Sequence, residues 1–174
     1  IPMINRDMQS GDLGIIVIEP KGDLAEKVWA MAKHYGREVQ YFNPILPDCP
    51  YFNPLYGDES DVIENMSTTF KMLSPDSPQF FLDMNDNLIR KSLKVLKRLY
   101  GDDATLLQLD ALISNAGGQG EKMVSEFSKL PAKNENVAKE NEDIALWFMG
   151  DYFTGAKGSK TATKTYENCS GVRS

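Results

Sequence analysis

With 174 residues, 41% apolar and 25% charged, the chain has the size and make-up of one ordinary soluble domain, or of one domain plus a piece of another. Its formal charge of −6 and pI of about 4.9 set the surface as a whole against nucleic acid and anionic membrane, so a polyanionic partner would need a local basic patch. One histidine and two distant cysteines, Cys49 and Cys169, argue against a zinc site and for a reducing, cytosolic setting. No apolar run reaches the ~18 residues of a membrane helix.

The chain opens at Ile1 inside an apolar–polar pattern (Ile1, Met3, Ile4, Met8), which reads as an internal piece of a longer protein, and residues 1–10 read as the end of a helix closed by Ser10-Gly11. Gly14–Glu19 is an apolar run of the kind found in parallel sheets buried on both faces. Behind Asp23, a plausible N-cap, Leu24, Val28, Met31, Ala32 and Tyr35 recur at helical spacing until Gly36, a natural C-terminal stop. Arg37–Phe42 reads as a second strand. Strand, helix, strand is a βαβ unit.

Asn43–Gly57 carries four prolines (Pro44, Pro47, Pro50, Pro54) and the twin phrases Tyr41-Phe42-Asn43-Pro44 and Tyr51-Phe52-Asn53-Pro54. It is expected to be a rigid extended connector with aromatic anchors, and the domain boundary is placed here, with residues 1–54 before it and 55–174 after it. Beyond Asp58 nothing reads as a strand. Helical segments are expected at about 60–73, 79–100, 103–115, 119–130, 136–153 and 159–170, separated by Ser74-Pro75, Gly101-Asp102, Gly117-Gly118, Pro131 and Gly155–Gly158. The expected fold is therefore mainly α, a helical bundle preceded by a short βαβ piece.

Phosphate-binding chemistry is not visible. Gly158-Ser159-Lys160-Thr161 places a serine between glycine and lysine, and Gly117-Gly118-Gln119-Gly120-Glu121-Lys122 places a glutamate there; neither follows a buried strand. The carboxylate pairs Asp102/Asp103 and Asp83/Asp86 and the group Glu140/Glu142/Asp143 are explained by helix capping and solubility. The most informative segment is 88–99, LIRKSLKVLKRL. Leu88, Ile89, Leu93, Val95, Leu96 and Leu99 cover one side of a helix there, and Arg90, Lys91, Lys94, Lys97 and Arg98 cover the other with no acid among them. Such a stripe either meets phosphates or an acidic partner, or is a solvated face balanced by acids on a neighbouring helix.

The phrases Glu19-Pro20-Lys21-Gly22-Asp23-Leu24, Phe42-Asn43-Pro44 and Asn53-Pro54-Leu55, followed by a helical block, resemble the coupling proteins of type IV secretion and bacterial conjugation, the TraG/TraD-like ATPases. The likeness is at the level of motifs over residues 14–57, and Glu19 stands where that family usually has aspartate. It implies that residues 1–54 belong to a RecA-like P-loop domain, with Glu19, Pro20, Lys21, Gly22 and Asp23 as a nucleotide-domain motif. Residues 55–174 would be the all-α domain inserted between the two phosphate-binding motifs.

It further implies a membrane-anchored, hexameric parent ATPase on the cytoplasmic side, using ATP and Mg, that passes relaxase–DNA complexes or secreted proteins to a secretion channel. For the present chain it implies no cofactor and no activity of its own. It implies instead recognition of relaxase, relaxosome proteins or secreted substrates. Two alternatives are direct DNA binding through Arg90, Lys91, Lys94, Lys97 and Arg98, and a structural spacer between motor subunits.

Overall fold

A computed structural model describes residues 2–10, 12–20, 23–73 and 75–155, and it is mainly helical, with no strand among the described residues. The expected helix at 159–170 and the stretch Gly158-Ser159-Lys160-Thr161 lie outside them. The chain divides into two compact units between Phe52 and Asn53.

The first unit holds α1 (Pro2–Ser10) and α2 (Leu24–His34). Met8, Val28 and Ala32 form its small core, with Ile4, Ile15, Val17, Leu24, Met31 and Tyr35 packed around them. The Tyr35 hydroxyl donates to Asn5 Oδ1 (3.0 Å) and accepts from Gln9 Nε2 (3.0 Å), tying the end of α2 to α1. Gly36, at φ +66°, stops α2 as its sequence suggests. Its N–H reaches Lys33 O and the Arg37 N–H reaches Ala32 O, the paired bonds that satisfy the last carbonyls of a helix. Asp23 does not cap with its side chain; its carboxylate takes Lys27 Nζ one turn on (2.6 Å).

The βαβ piece expected over residues 1–54 does not form. Residues 14–19 and 37–42 lack helix and pair with no neighbour in a ladder. A cavity of about 470 Å³ lies between them, lined by Gly14–Val17, Arg37–Tyr41 and α2. Ile15 and Val17 turn towards the small core, whereas Ile16 and Ile18 are 90% and 88% exposed. An apolar run of this kind needs a layer on both faces to be a buried strand, and within this unit the helices cover one face only.

The connector corrects a second expectation: it is turned rather than extended. Both Asn-Pro phrases fold in the same way. Asn43 Oδ1 accepts from Ile45 N (3.1 Å) and Asn43 O from Leu46 N (3.0 Å); Asn53 Oδ1 accepts from Leu55 N (3.1 Å) and Asn53 O from Tyr56 N (3.1 Å). The asparagine side chain mimics a backbone acceptor, and proline presets the next residue for the turn.

The second unit is a helical bundle: α3 (Glu59–Leu73), α4 (Gln79–Tyr100), α5 (Leu106–Ser114), α6 (Gln119–Phe127) and α7 (Glu135–Leu146). α4 packs against α3, α5 and α6, and supplies Leu88, Ile89, Leu93, Val95 and Leu96 to the core. Thr105 begins α5 with a reciprocal capping box, its Oγ1 accepting from Gln108 N while Gln108 Oε1 accepts from Thr105 N. Asn134 Oδ1 caps α7 at Val137 N.

Of the glycines before and within α6, Gly117 and Gly118 take the left-handed turn (φ +62° and +75°), and Gly120 is a packing device. A Cβ on Gly120 would lie 2.5 Å from Leu112 O and 2.9 Å from the Phe153 ring, so glycine is what lets α6 approach α5 and the aromatic segment that follows α7. After Leu146 the helix widens into a π-helical segment, Trp147–Tyr152. The wider turn sets residues five apart in ring contact: Trp147 on Tyr152 (5.5 Å) and Phe148 on Phe153 (5.4 Å). Phe148, Tyr152 and Phe153 are buried, and the Tyr152 hydroxyl donates to Ile113 O (3.1 Å). No helix of the described residues is long and apolar enough to cross a membrane.

Candidate functional site

α4 gathers the five cations singled out by the sequence, and the fold surrounds them with acids from other elements. Arg90 makes a two-pronged pair with Glu64 of α3 (2.6 and 2.9 Å) and donates Nε to Asp86 one turn back (3.0 Å); Asp86 also takes Lys71 (3.1 Å) and the Ser67 hydroxyl. Arg98 donates to Glu59 of α3 (2.9 Å), and to Glu140 (2.6 Å) and Asn141 Oδ1 (2.6 Å) of α7. Lys94 also pairs with Glu140. Lys97 is buried and donates to Leu55 O (3.0 Å) and Asp102 Oδ1 (2.8 Å).

The stripe therefore lies along the seams between α4 and its neighbours. Lys91 is the exception among the five, with no ion pair within the described residues; its ammonium lies 5.5 Å from the centre of the Trp147 ring.

The electrostatics follow from these contacts. Burial raises the Glu140 carboxyl, but hydrogen bonds from Lys94 and Arg98 outweigh it and hold the group below its ordinary 4.5. Asp86 behaves alike: burial opposes, and bonds from Ser67, Arg90 and Lys71 hold it below 3.8. Arg90 is raised, first by its hydrogen bond to Glu64. Lys91 is lowered, first by burial and then by the Lys94 charge.

The second Asn-Pro phrase is built into the same region. Asn53 Nδ2 donates to Ala104 O (2.7 Å) and to Asp102 O (3.3 Å), Leu55 is fully buried, and Asp102 Oδ1 accepts from Gly57 N (3.2 Å). Asp102 thus receives Lys97 and the linker backbone, while Thr105 does the capping expected of the Asp102/Asp103 pair.

Of the nucleotide-domain motif, Glu19 is half-buried, Pro20 exposed and Asp23 paired with Lys27, while Lys21 and Gly22 lie outside the described residues. Among the described residues no group of three or more His, Cys, Asp or Glu side chains is placed to hold a metal.

Sequence reasoning missed a surface at the far end of the α3–α4 hairpin. Met72 and Leu73 on the last turn of α3, and Phe80 and Phe81 on the first turn of α4, are all exposed, from 42 to 74%. The signal was present: Phe80-Phe81 follows Pro78-Gln79 and falls outside the apolar side drawn for residues 88–99. That acids on a neighbouring helix balance the stripe is one reading of the sequence; which acids do so was missed, because Glu59, Glu64 and Glu140 stand far away in sequence, and Glu140 reads there as a solubilising group.

Comparison with protein-family models, with curated proteins and with solved structures finds no match to this chain.

Proposed function

We propose that the chain is a substrate-recognition module of a conjugative type IV secretion coupling protein, docking relaxase, relaxosome proteins or secreted substrates, without catalysis of its own. The observation that carries this reading is the order and use of the three phrases. Glu19-Pro20-Lys21-Gly22-Asp23 leads into α2, Asn43-Pro44 forms a turn, and Asn53-Pro54-Leu55 opens the helical unit and is bonded into it through Asn53 and Leu55. A phrase at the entrance of a helical unit has a physical reason to be there if it anchors that unit. ATP and Mg would belong to the parent motor, as would its membrane anchor, its hexameric ring and its secretion channel.

The ion pairs favour a protein partner over DNA. Arg90, Lys94, Lys97 and Arg98 are already held by carboxylates, so phosphate would have to displace an intramolecular acid at each of them. The spacer reading shares the fold but requires no soluble partner.

The test is co-purification of the tagged 174-residue chain with the reconstituted relaxosome of its own mobile element at low salt. Capture of relaxase or an accessory protein, with no ATP turnover by the chain alone, is the expected result. Failure to capture any component would remove the recognition role. DNA affinity tighter than the ~10⁻⁴ M of weak non-specific binding, lost in Lys91→Glu, would move the role to DNA.

A further inference from the structure

We infer that the end of the α3–α4 hairpin is a docking surface for a basic amphipathic helix of a protein partner. The inference rests on the recognition role proposed above and names where that recognition occurs. Core packing in the hairpin stops at Phe70 and Met84, which lean on the bundle core. Beyond them stand Met72, Leu73, Phe80 and Phe81, exposed, with the two phenylalanine rings edge to face at 5.5 Å. Four large apolar side chains exposed at one end of a helix pair are a concentration of the kind that marks an interaction site.

Charge selects the occupant. From Met72 to Ile89 the sequence holds Asp76, Asp83 and Asp86 and not one lysine or arginine. The cations at the base of the tip, Lys71 and Arg90, are both committed to Asp86. Among the described residues Asp83 receives the neutral amide of Gln79 (2.7 Å) and no cation, and Asp76 has no basic partner. The apolar patch is thus rimmed by two uncompensated carboxylates.

That rim repels nucleic acid and anionic lipid headgroups, and a second copy of the same tip would bring like charges together across a two-fold contact. A helix with leucine-type side chains on one face and lysine or arginine beside them satisfies both the patch and its rim, in the helix-on-apolar-surface mode of recognition.

The experiment uses the complete 174-residue chain and two fluorescein-labelled helical peptides with the same leucine face, one completed with lysine and one with glutamate, read by fluorescence anisotropy. The lysine peptide is expected to bind and the glutamate peptide not. Phe80→Ser with Phe81→Ser is expected to weaken binding about tenfold. Met72→Ser with Leu73→Ser, on the other helix, reads the same surface should the first pair disturb the fold.

Asp76→Lys with Asp83→Lys is expected to reverse the peptide preference, whereas the same charge change at exposed Glu135 and Glu142 leaves it within about twofold. Equal loss from the Glu135/Glu142 pair would reduce the effect to net charge and overturn the inference. So would binding indifferent to all four tip residues, or a concentration-dependent dimer that the serine variants abolish. If relaxosome capture persists in the serine variants, the tip fails while the recognition role stands. If the lysine peptide binds the tip as described and no relaxosome component is captured, the surface stands and the conjugative reading fails.

Discussion

The two units use the same Asn-Pro turn and differ in what it is bonded to. In the first, whose core is Met8, Val28 and Ala32, Asn43 bonds among the described residues only to its own turn and a neighbouring tyrosine. In the second, Asn53 makes the same turn and also reaches two carbonyls beyond α4, next to a core of twenty buried apolar side chains among the described residues. A turn sequence sets a local shape; burial and long-range hydrogen bonds decide how much that shape contributes to stability.

Core truncation should separate the units most clearly. Phe148→Ala, at a fully buried ring, is expected to destabilise the helical unit by about 3–5 kcal/mol, whereas Ile16→Ala in the first unit should stay within about 0.5 kcal/mol, both read from urea unfolding. Next, Gly120→Ala forces a methyl against Leu112 O and should cost about 1–3 kcal/mol in the same assay, lowering the Tm. The twin asparagines sharpen the contrast further. Asn53→Ala should cost about 1–2 kcal/mol because it strands two carbonyls, and Asn43→Ala about 0.5 kcal/mol or less; equal costs would mean that the anchoring of the second phrase contributes nothing.

The smallest effect is acid sensitivity. Glu140 and Asp86 have folded values below their ordinary 4.5 and 3.8, so they contribute stability that is complete above those values and is lost as the pH falls through the lower folded ones. The Tm of the helical unit should therefore hold from neutral pH to about pH 5 and decline below it, and Glu140→Gln should make that decline shallower.

Most of the helical unit was legible from its residues. The breaks at Gly101, Gly117-Gly118 and Pro131 and the apolar spacing between them place the helices within a few residues of where they stand, because periodicity and capping are local properties. The π-helical segment was not legible, since the widening is set by how Trp147, Phe148, Tyr152 and Phe153 stack once the chain has folded. For the basic stripe, balance by acids on a neighbouring helix is one of two readings, but which acids balance it was not legible. Residues 88–99 contain no acid, and the acids that complete Arg98 arrive from α3 and α7, about forty residues away on either side.

The strand expectation failed for a related reason. Gly14–Glu19 has the composition of a strand buried on both faces, but a ladder is a property of two segments and the layers around them, and here Ile16 and Ile18 face outward. What the amino-acid order determined by itself was local: where helices start and stop, where Gly36 ends α2, where each asparagine folds the chain on itself. What only the tertiary structure decided was pairwise and distant. It decided which carboxylate neutralises which cation, which glycine must be bare, and which apolar side chains, at the end of the α3–α4 hairpin, are left without a partner.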